Sequence, residues 1–218
     1  MTTRDRRSTR WDAHRSARRA ELVEAALAAV REHGAGAGMD DVAAGAGTSK
    51  TVVYRHFADR ADLYTAVCAR VAESVVRHVR AAMDAADPAG GSRAMATAAI
   101  AEYLRLVEAD PEVYRYVVHR PLLERDLVRG GGDPVGDLVS RIGAEAAVVI
   151  AAHLAAHGRD TTAAAPWGHG LVGLVHAATD NWLAHPAAMS RDQLAAHLTD
   201  LAWAGLSGVL PRPKEVTA

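Results

Sequence analysis

Apolar residues recur along this chain at the three- and four-residue spacing of amphipathic helices, whereas the strict alternation typical of β-strands is scarce. In the first such segment, about 15–33, the apolar residues Leu22, Leu27 and Val30 share one face. Gly34 follows this segment, and a glycine in such a place commonly ends a helix. The pattern predicts an all-α fold of about nine helices.

The other helices are predicted from the same spacing, together with the glycines, prolines and capping residues at their ends. Their approximate bounds are 39–46, 49–56, 60–86, 92–109, 110–120, 134–157, 163–184 and 190–210. Asp59 and Ser92 are expected to cap the helices that follow them, and Pro121 is expected to disturb the helix before it.

The segment 40–57 has the pattern of a helix-turn-helix, the motif that places a recognition helix in the DNA major groove. Val53 and Phe57 stand four residues apart and are expected to face the core, and Gly47 suits the tight turn between the helices. Thr48 or Ser49 is expected to cap the second helix. The opposite face carries polar and basic residues that are free for DNA: Lys50, Thr51, Tyr54 and Arg55.

These residues resemble the TetR family of bacterial transcriptional regulators. The matching runs, in order, are Val42-Ala43-Ala44, Ala46-Gly47-Thr48-Ser49-Lys50, Val53-Tyr54-Arg55-His56-Phe57, Asp59-Arg60 and Asp62-Leu63. The likeness is specific over about residues 15–65, and beyond them it rests on helix count, total length and the apolar pattern of the final helices. It implies an N-terminal three-helix unit that binds DNA as a dimer, and a helical domain that holds a small inducer and the dimer interface.

Carried over position by position, the resemblance implies a set of DNA-contacting residues: Thr48, Ser49, Lys50, Thr51, Tyr54, Arg55, His56 and Arg60. Tyr54 would bond a phosphate through its hydroxyl, and Arg60, where the family usually has lysine, would contact the DNA backbone. Gly38 stands where a threonine or serine cap is common, so we expect a weaker start for the second helix.

Charge is distributed unevenly along a chain whose formal net charge is only −1. Seven arginines and two acidic residues precede residue 20, and a basic cluster of this kind attracts phosphate or anionic lipid. Residues 1–14 are therefore expected to form a basic, flexible arm. An auxiliary contact with phosphate and a solvated tail are both open interpretations of this arm.

The residue inventory disfavours several other classes of protein. Cys68 is the only cysteine, so it can form neither an internal disulfide nor a cysteine-based zinc site. The longest apolar stretch, 142–158, contains Glu145 and two histidines, and no apolar segment follows the N-terminal arginines as in a signal peptide. The segment 45–51 is not a P-loop, because the position directly before Lys50 and the position five residues earlier are Ser49 and Ala44 instead of glycines. No grouping of residues typical of a catalytic site stands out. We expect a cytoplasmic protein that is not an enzyme and has no cofactor.

The last two predicted helices, 163–184 and 190–210, are rich in small residues and apolar on two sides. A helix that is apolar on two sides needs two neighbours, which here would be its own domain and a second subunit. Burial inside a monomer would produce the same pattern. With the family resemblance, this pattern favours a homodimer through these two helices.

An inducer pocket is expected among the middle helices, mostly apolar with a few polar groups, for a small apolar or amphipathic ligand. The candidate ligand-binding residues are Tyr103, Tyr116, Arg120, His153, Trp167, His176 and Asn181. A core aromatic residue or a satisfied buried polar group is an alternative interpretation of each. Histidines at 153, 157, 169 and 176 make a metal-responsive regulator conceivable, but no acidic residue stands at supporting spacing on the helix that carries His153 and His157, so no metal site is predicted.

The sequence therefore predicts a DNA-binding repressor that a small molecule releases from a palindromic operator. A metal-responsive regulator and a helical ligand-binding or scaffold protein without DNA binding are the alternatives. The predicted organisation is a basic arm at 1–14, a DNA-binding domain at 15–59, a ligand-binding and dimerisation domain at 60–211 and a tail at 212–218.

Overall fold

The computed structural model describes residues 3–123, 134–185 and 188–207, and within them the side chains of residues 14–118, 136, 139–185 and 188–205. Nine α-helices and no strand occur in these ranges, as the hydrophobic pattern predicts. The helices are α1 Thr3–His33, α2 Met39–Gly45, α3 Lys50–His56, α4 Arg60–Asp84, α5 Gly91–Ala109, α6 Pro111–Leu123, α7 Pro134–Ala156, α8 Ala164–Ala184 and α9 Arg191–Ser207. Short 3-10 turns at Gly34–Gly36 and Pro88–Gly90 precede α2 and α5.

Unit 1, the first of two compact units, comprises residues 1–73 and 110–138. Its core is one cluster of buried apolar side chains from α1, α2, α4 and α6 and from the C-terminal half of the helix-turn-helix. Leu22, Val53, Phe57 and Val67 are fully buried in this cluster. Each such side chain contributes about 1.5–3 kcal/mol through burial, so this core fixes the helix-turn-helix in place.

Unit 2 comprises residues 74–109 and 139–218. Its core joins α5, α8 and α9 through buried side chains that include Leu104, Trp182 and Leu198. Glycine brings α7 and α8 together: a Cβ at Gly168 would lie 2.5 Å from the backbone nitrogen of Ala147. Close backbone approach therefore replaces side-chain interdigitation at this crossing.

The helix α7 is apolar along most of its length. Among the described residues, its stretch Val139–Ala156 is the one helix with the length and mean hydropathy, 1.4, that a membrane span requires. A single helix of this kind is weak support for a membrane span, because helices of water-soluble proteins pass the same test.

Three helix boundaries differ from the sequence-based expectations. The helix α1 begins at Thr3, so most of the segment expected to be a flexible arm is helical; no glycine or proline interrupts residues 3–33. The helix α6 continues through Pro121 to Leu123; the carbonyl of Val117, for which Pro121 has no N–H, accepts the Tyr64 hydroxyl at 2.6 Å instead. Ser92 lies inside the first turn of α5 and caps nothing; its Oγ hydrogen-bonds His153 Nδ1 at 2.6 Å.

The two units also divide the chain differently from the functional domains expected at 15–59 and 60–211. The first half of α4 and all of α6 cluster with the helix-turn-helix in unit 1. The functional boundary at residue 59 stays a prediction, and the expected tail at 212–218 lies outside the described residues.

Candidate nucleic-acid interface

The turn between α2 and α3 has the geometry that the sequence predicts. Gly47 adopts φ +59°, a left-handed conformation that favours glycine. The backbone N–H of Thr48 closes the turn by donating to the carbonyl of Ala43 at 2.9 Å. A Cβ at Gly47 would meet nothing within 4 Å, so this position requires glycine for its backbone conformation and not for space.

The helix α3 has one buried face and one exposed face. Val53 and, immediately after the helix, Phe57 are 0 % exposed in the core of unit 1. The exposed residues are those predicted to be free for DNA: Lys50, Thr51, Tyr54 and Arg55. Tyr54 is a large side chain that is nevertheless 46 % exposed. Aromatic and basic groups are thus presented on the surface of a helix whose inner face is packed into the core.

The starts of α2 and α3 are held differently from the expected caps. Ser49 occupies the N-cap position of α3, but its side chain makes no capping bond. Gly38 occupies the N-cap position of α2, and the Asp41 carboxylate accepts its backbone N–H at 2.7 Å. This bond is one half of a capping box, so it offsets part of the weakness expected from a glycine at this position.

Lys50, the first residue of α3, is paired with an acid on the neighbouring helix. Its Nζ lies 2.8 Å from Asp40 Oδ2, and both side chains are exposed. The hydrogen bond to Asp40 and the charge of that carboxylate raise the pKa of Lys50 above its usual value. Lys50 is therefore a cation at neutral pH, and in the free protein it is bound to an acid.

The opposite end of α3 lies beside basic residues of α1. His56 is half-buried, and burial lowers its pKa, as do the nearby charges of Arg15, Arg18 and Arg19. Its Nδ1 is buried without a hydrogen-bond partner among the described residues. The imidazole is therefore held neutral next to a concentration of positive charge, a setting that attracts phosphate.

The start of α4 confirms one sequence-based expectation and complicates another. Asp59 caps the helix, because its Oδ1 accepts the backbone N–H of Asp62 at 2.8 Å. Arg60, which the resemblance assigns to the DNA backbone, is half-buried, and its Nη2 donates to the carbonyl of Ala37 at 3.1 Å. Contact between Arg60 and DNA stays a prediction; the bond to Ala37 uses one of the five N–H donors of the guanidinium.

Arg19 is a prominent residue that the sequence analysis did not single out. Its guanidinium bonds the His56 carbonyl and the Asp62 carboxylate, and it lies over the Phe57 ring. The available signal was its position: Arg19 precedes Leu22 by three residues and therefore stands on the apolar face of α1. A basic residue on such a face needs a partner elsewhere in the fold.

The predicted ligand-binding residues are not brought together as one group. Tyr116 is 3 % exposed in the core of unit 1, where its ring lies 5.5 Å from that of Tyr64. The side chain of Arg120 lies outside the described residues. The five others belong to unit 2: Tyr103, His153, Trp167, His176 and Asn181. Asn181 is exposed and His153 bonds Ser92, and a ligand role for any of the seven stays a prediction.

The described side chains form no candidate metal centre: no cluster of three or more histidine, cysteine, aspartate or glutamate residues among them has the proximity that a metal ion requires. The rings of His153 and His157 lie with centroids 4.4 Å apart and planes tilted by 47°. Burial together with the charge of His157 lowers the pKa of His153. A pair of histidines alone makes weak support for a metal-responsive regulator.

The fold and the exposed basic recognition helix define the class of helix-turn-helix transcriptional regulators. Two family models match the chain: "Bacterial regulatory proteins, tetR family" over residues 22–67, and "Tetracyclin repressor-like, C-terminal domain" over residues 78–216. An HTH-type transcriptional regulator of Mycobacterium tuberculosis is 35 % identical over 206 residues, which cover 94 % of this chain and 84 % of the relative. The HTH-type transcriptional activator FasR of Mycolicibacterium smegmatis is 30 % identical, covering 89 % of this chain and 85 % of that protein.

Solved structures show the same fold. A tetR-family transcriptional regulator from Streptomyces coelicolor superposes with a TM-score of 0.68 at 20 % identity, covering 88 % of this chain and 82 % of that one. The regulator FadR of Bacillus subtilis, solved in complex with stearoyl-CoA, gives a TM-score of 0.65 at 10 % identity, covering 85 % of this chain and 97 % of that one. The chain belongs to the TetR family of transcriptional regulators. Regulators of this family bind DNA operators and usually dimerise.

Proposed function

We propose that this regulator is a cytoplasmic homodimeric repressor that binds a near-palindromic operator and leaves it when a small molecule binds. The observation that carries the DNA-binding part is the exposed face of α3, with Lys50, Thr51, Tyr54 and Arg55 on it. A dimer of such proteins places two recognition helices in successive major grooves, about 34 Å apart. Thr48, Ser49 and His56 flank this face and would contact phosphates beside it.

The test begins with a pool of random-sequence duplexes, from which the protein selects its preferred sites. We expect the selected sites to be near-palindromic, with half-sites about 10 base pairs apart. Affinity should fall steeply with salt, with a slope of about −0.9 per phosphate contacted. A folded protein that selects no sequence would overturn the operator proposal and favour a helical ligand-binding or scaffold protein without DNA binding.

Dimerisation through α8 and α9 is supported by what these helices leave exposed. Leu201 of α9 is 59 % exposed, and Gly170 and Gly205 have open space around them. Small residues let two helices approach closely, and a second subunit packed there would cover Leu201. We expect Leu201→Asp to yield a folded monomer by light scattering, with operator affinity reduced along with the dimer.

The matched control for the dimer interface is Val148→Asp on α7, where the parent side chain is 64 % exposed. This variant is expected to remain a dimer. If Val148→Asp dissociates the protein while Leu201→Asp does not, the interface lies on α7 and the proposed helices are wrong.

The ligand is proposed to be a small apolar or amphipathic molecule. FadR of Bacillus subtilis was solved with stearoyl-CoA, which makes a long-chain acyl thioester the first probe for this chain. For the ligand to release DNA, it must bind the DNA-free state more tightly than the DNA-bound state. Titration of the protein–duplex complex with stearoyl-CoA, with free coenzyme A as control, tests this; unchanged duplex affinity would exclude that ligand class.

Repression itself is tested separately, because the FasR relative is named an activator. A reporter gene placed behind the selected operator should rise in expression when the regulator gene is deleted. A fall in expression would identify an activator and leave operator binding intact.

A further inference from the structure

The direction of the recognition helix depends on contacts outside the helix. The helix α3 has only seven residues, and isolated helices shorter than about 12–15 residues are marginal in water. Val53 and Phe57 hold its inner face in the core. At the start of α3 the Lys50–Asp40 pair is exposed on both sides and contributes little, whereas Arg19 makes several polar contacts at its finish.

Arg19 joins three helices at the C-terminal end of α3. Its Nη1 donates to the His56 carbonyl, and its guanidinium carbon lies 4.1 Å from the centroid of the Phe57 ring. Its Nη2 and Nη1 donate to Asp62 Oδ1 and Oδ2 at 2.5 and 3.3 Å. We define the Arg19 joint as the Arg19 guanidinium, the His56 carbonyl, the Phe57 ring and the Asp62 carboxylate.

Each contact in the Arg19 joint suits arginine in particular. A carbonyl at a helix C-terminus carries partial negative charge, which a cation stabilises. The planar guanidinium forks onto a carboxylate and stacks on an aromatic ring at the same time, whereas a lysine ammonium is a single point charge. The Arg19 guanidinium also lowers the pKa of Asp62, which keeps that carboxylate ionised at neutral pH.

The joint also fixes the short connection between α3 and α4. Asp62 Oδ2 accepts the backbone N–H of Ala58 at 3.1 Å, and Asp59 caps α4 through the N–H of Asp62. One carboxylate in the first turn of α4 is therefore tied to α1 and to residue 58 of the connection. Rotation of α3 against α1 and α4 would have to break these bonds together.

We propose that Arg19 is a positioning residue for operator recognition: the Arg19 joint sets the direction in which α3 enters the major groove. The proposal rests on operator binding by α3. Arg19 acts through His56, Phe57 and Asp62, so its loss would weaken sequence-specific binding more than the charge-driven binding that every duplex receives.

For Asp62, the proposal and simple electrostatics predict opposite changes in DNA affinity. Removal of a negative charge from a DNA-binding surface ordinarily strengthens DNA binding. If Asp62 positions α3 through Arg19, Asp62→Asn should instead weaken binding to the preferred duplex. The two expectations have opposite signs, so one measurement separates them.

Arg70 supplies a matched control. Its Nε bonds Glu24 Oε1 at 2.6 Å, so this pair also links α4 to α1, and the Arg70 side chain is 37 % exposed, as is that of Arg19. The Arg70–Glu24 pair lies on α1 and α4 and not on α3. Arg70→Lys therefore perturbs the same two helices with the same chemistry, away from the recognition helix.

The experiment compares Arg19→Lys, Asp62→Asn and Arg70→Lys in the full-length protein. The probes are a duplex selected by the wild-type protein from a random pool and a scrambled duplex of equal length. Fluorescence anisotropy is measured over a salt series, well below the unfolding midpoint of every variant. We expect Arg19→Lys and Asp62→Asn each to lose about tenfold in affinity for the selected duplex, the loss typical of breaking charged hydrogen bonds.

Affinity for the scrambled duplex should stay unchanged in Arg19→Lys and should not fall in Asp62→Asn, which loses a negative charge. Arg70→Lys should bind both duplexes like the wild type. The double variant Arg19→Lys/Asp62→Asn should lose no more than the larger single loss, because both changes break one joint.

Three results would overturn the proposal. The first is an equal loss of affinity for the selected and the scrambled duplex in Arg19→Lys or Asp62→Asn. The second is tighter binding of the selected duplex by Asp62→Asn. The third is a loss of affinity for the selected duplex in Arg70→Lys as large as that in Arg19→Lys. If Arg19→Lys does not fold, Asp62→Asn alone decides. A wild-type protein that does not prefer the selected duplex would refute operator binding itself, which is a different result from variants that keep the preference.

Discussion

The two units of this chain carry their functional surfaces in opposite ways. Unit 1 encloses large apolar side chains such as Leu22 and Phe57 and exposes the polar face of α3. Unit 2 exposes apolar side chains, Val148 and Leu201, and brings α7 and α8 into backbone contact at Gly168. Exposed charge on a short motif indicates its partner, nucleic acid. Exposed apolar side chains carry less information, because single ones are common on protein surfaces and do not identify a partner.

The largest effect is expected where unit 1 depends on one large side chain. Phe57→Ala removes a fully buried ring and should cost about 3–5 kcal/mol of unfolding free energy. Chemical denaturation measures the loss, and Phe57→Leu is the control that retains much of the volume. A cost below about 1 kcal/mol for the alanine variant would show that the core of unit 1 collapses around the gap.

A smaller effect should come from the glycine crossing of unit 2. In Gly168→Ala the added Cβ would press on the backbone of Ala147, so a loss of about 1–3 kcal/mol is expected from overpacking. Gly170→Ala, two residues away with open space around it in the protomer, should be neutral or stabilise by up to about 1 kcal/mol when both changes are made in the Leu201→Asp background, where no second subunit packs on α8. Thermal unfolding compares the two, and equal effects would refute close packing at residue 168.

In each unit, one histidine with a lowered pKa should contribute to the pH dependence of stability. Burial lowers the pKa of His56 and of His153, so the folded protein favours their neutral forms. The unfolded chain then binds more protons at these two sites as pH falls below about 6.5. Their contribution to stability is therefore constant above that pH and becomes destabilising below it.

The check is the unfolding midpoint in denaturant at about pH 7.5 and about pH 5.5, on either side of the usual histidine pKa. His56→Gln and His153→Gln should each reduce the loss of stability at the lower pH. If a variant loses as much stability between the two pH values as the wild type does, the histidine that it replaces does not contribute to the pH dependence.

The smallest effect is expected on the exposed surface of unit 1. Asp40→Asn releases Lys50 from its ion pair and removes a negative charge beside the recognition helix. Affinity for any duplex should rise a few-fold, and the salt slope should steepen by up to about 0.9, the value for one additional phosphate contact. Weaker binding to the preferred duplex alone would instead show that Asp40 orients Lys50 toward a base.

The exposed face of α3 could be predicted because its information is local. Val53 and Phe57 are four residues apart, and the residues between them follow the helical period, so a few positions determine which side is buried. The left-handed conformation of Gly47 could likewise be predicted, because a glycine between two short helices is typical of such a turn. The family resemblance draws on the same local run.

Contacts between distant segments could not be read in this way. Arg19 and Asp62 are 43 residues apart, and helical periodicity gives no pairing between separate helices. The orientation of Arg60 toward Ala37 is a similar case, because it depends on how α4 packs and not on the motif around it. The start of α1 was misplaced for another reason: a dense arginine cluster resembles a solvated arm, yet arginine is a good helix former.

The continuity of α4 constrains how this architecture can be recombined. The division between the units falls at Glu73 and Ser74, inside one helix of 25 residues that contains neither glycine nor proline. A graft that joined this DNA-reading unit to a foreign sensor would therefore have to be spliced within a helix. One extra residue at the splice would turn the downstream part of α4 by about 100° and shift it by about 1.5 Å. A chimaera joined within α4 should therefore keep the helical phase of α4.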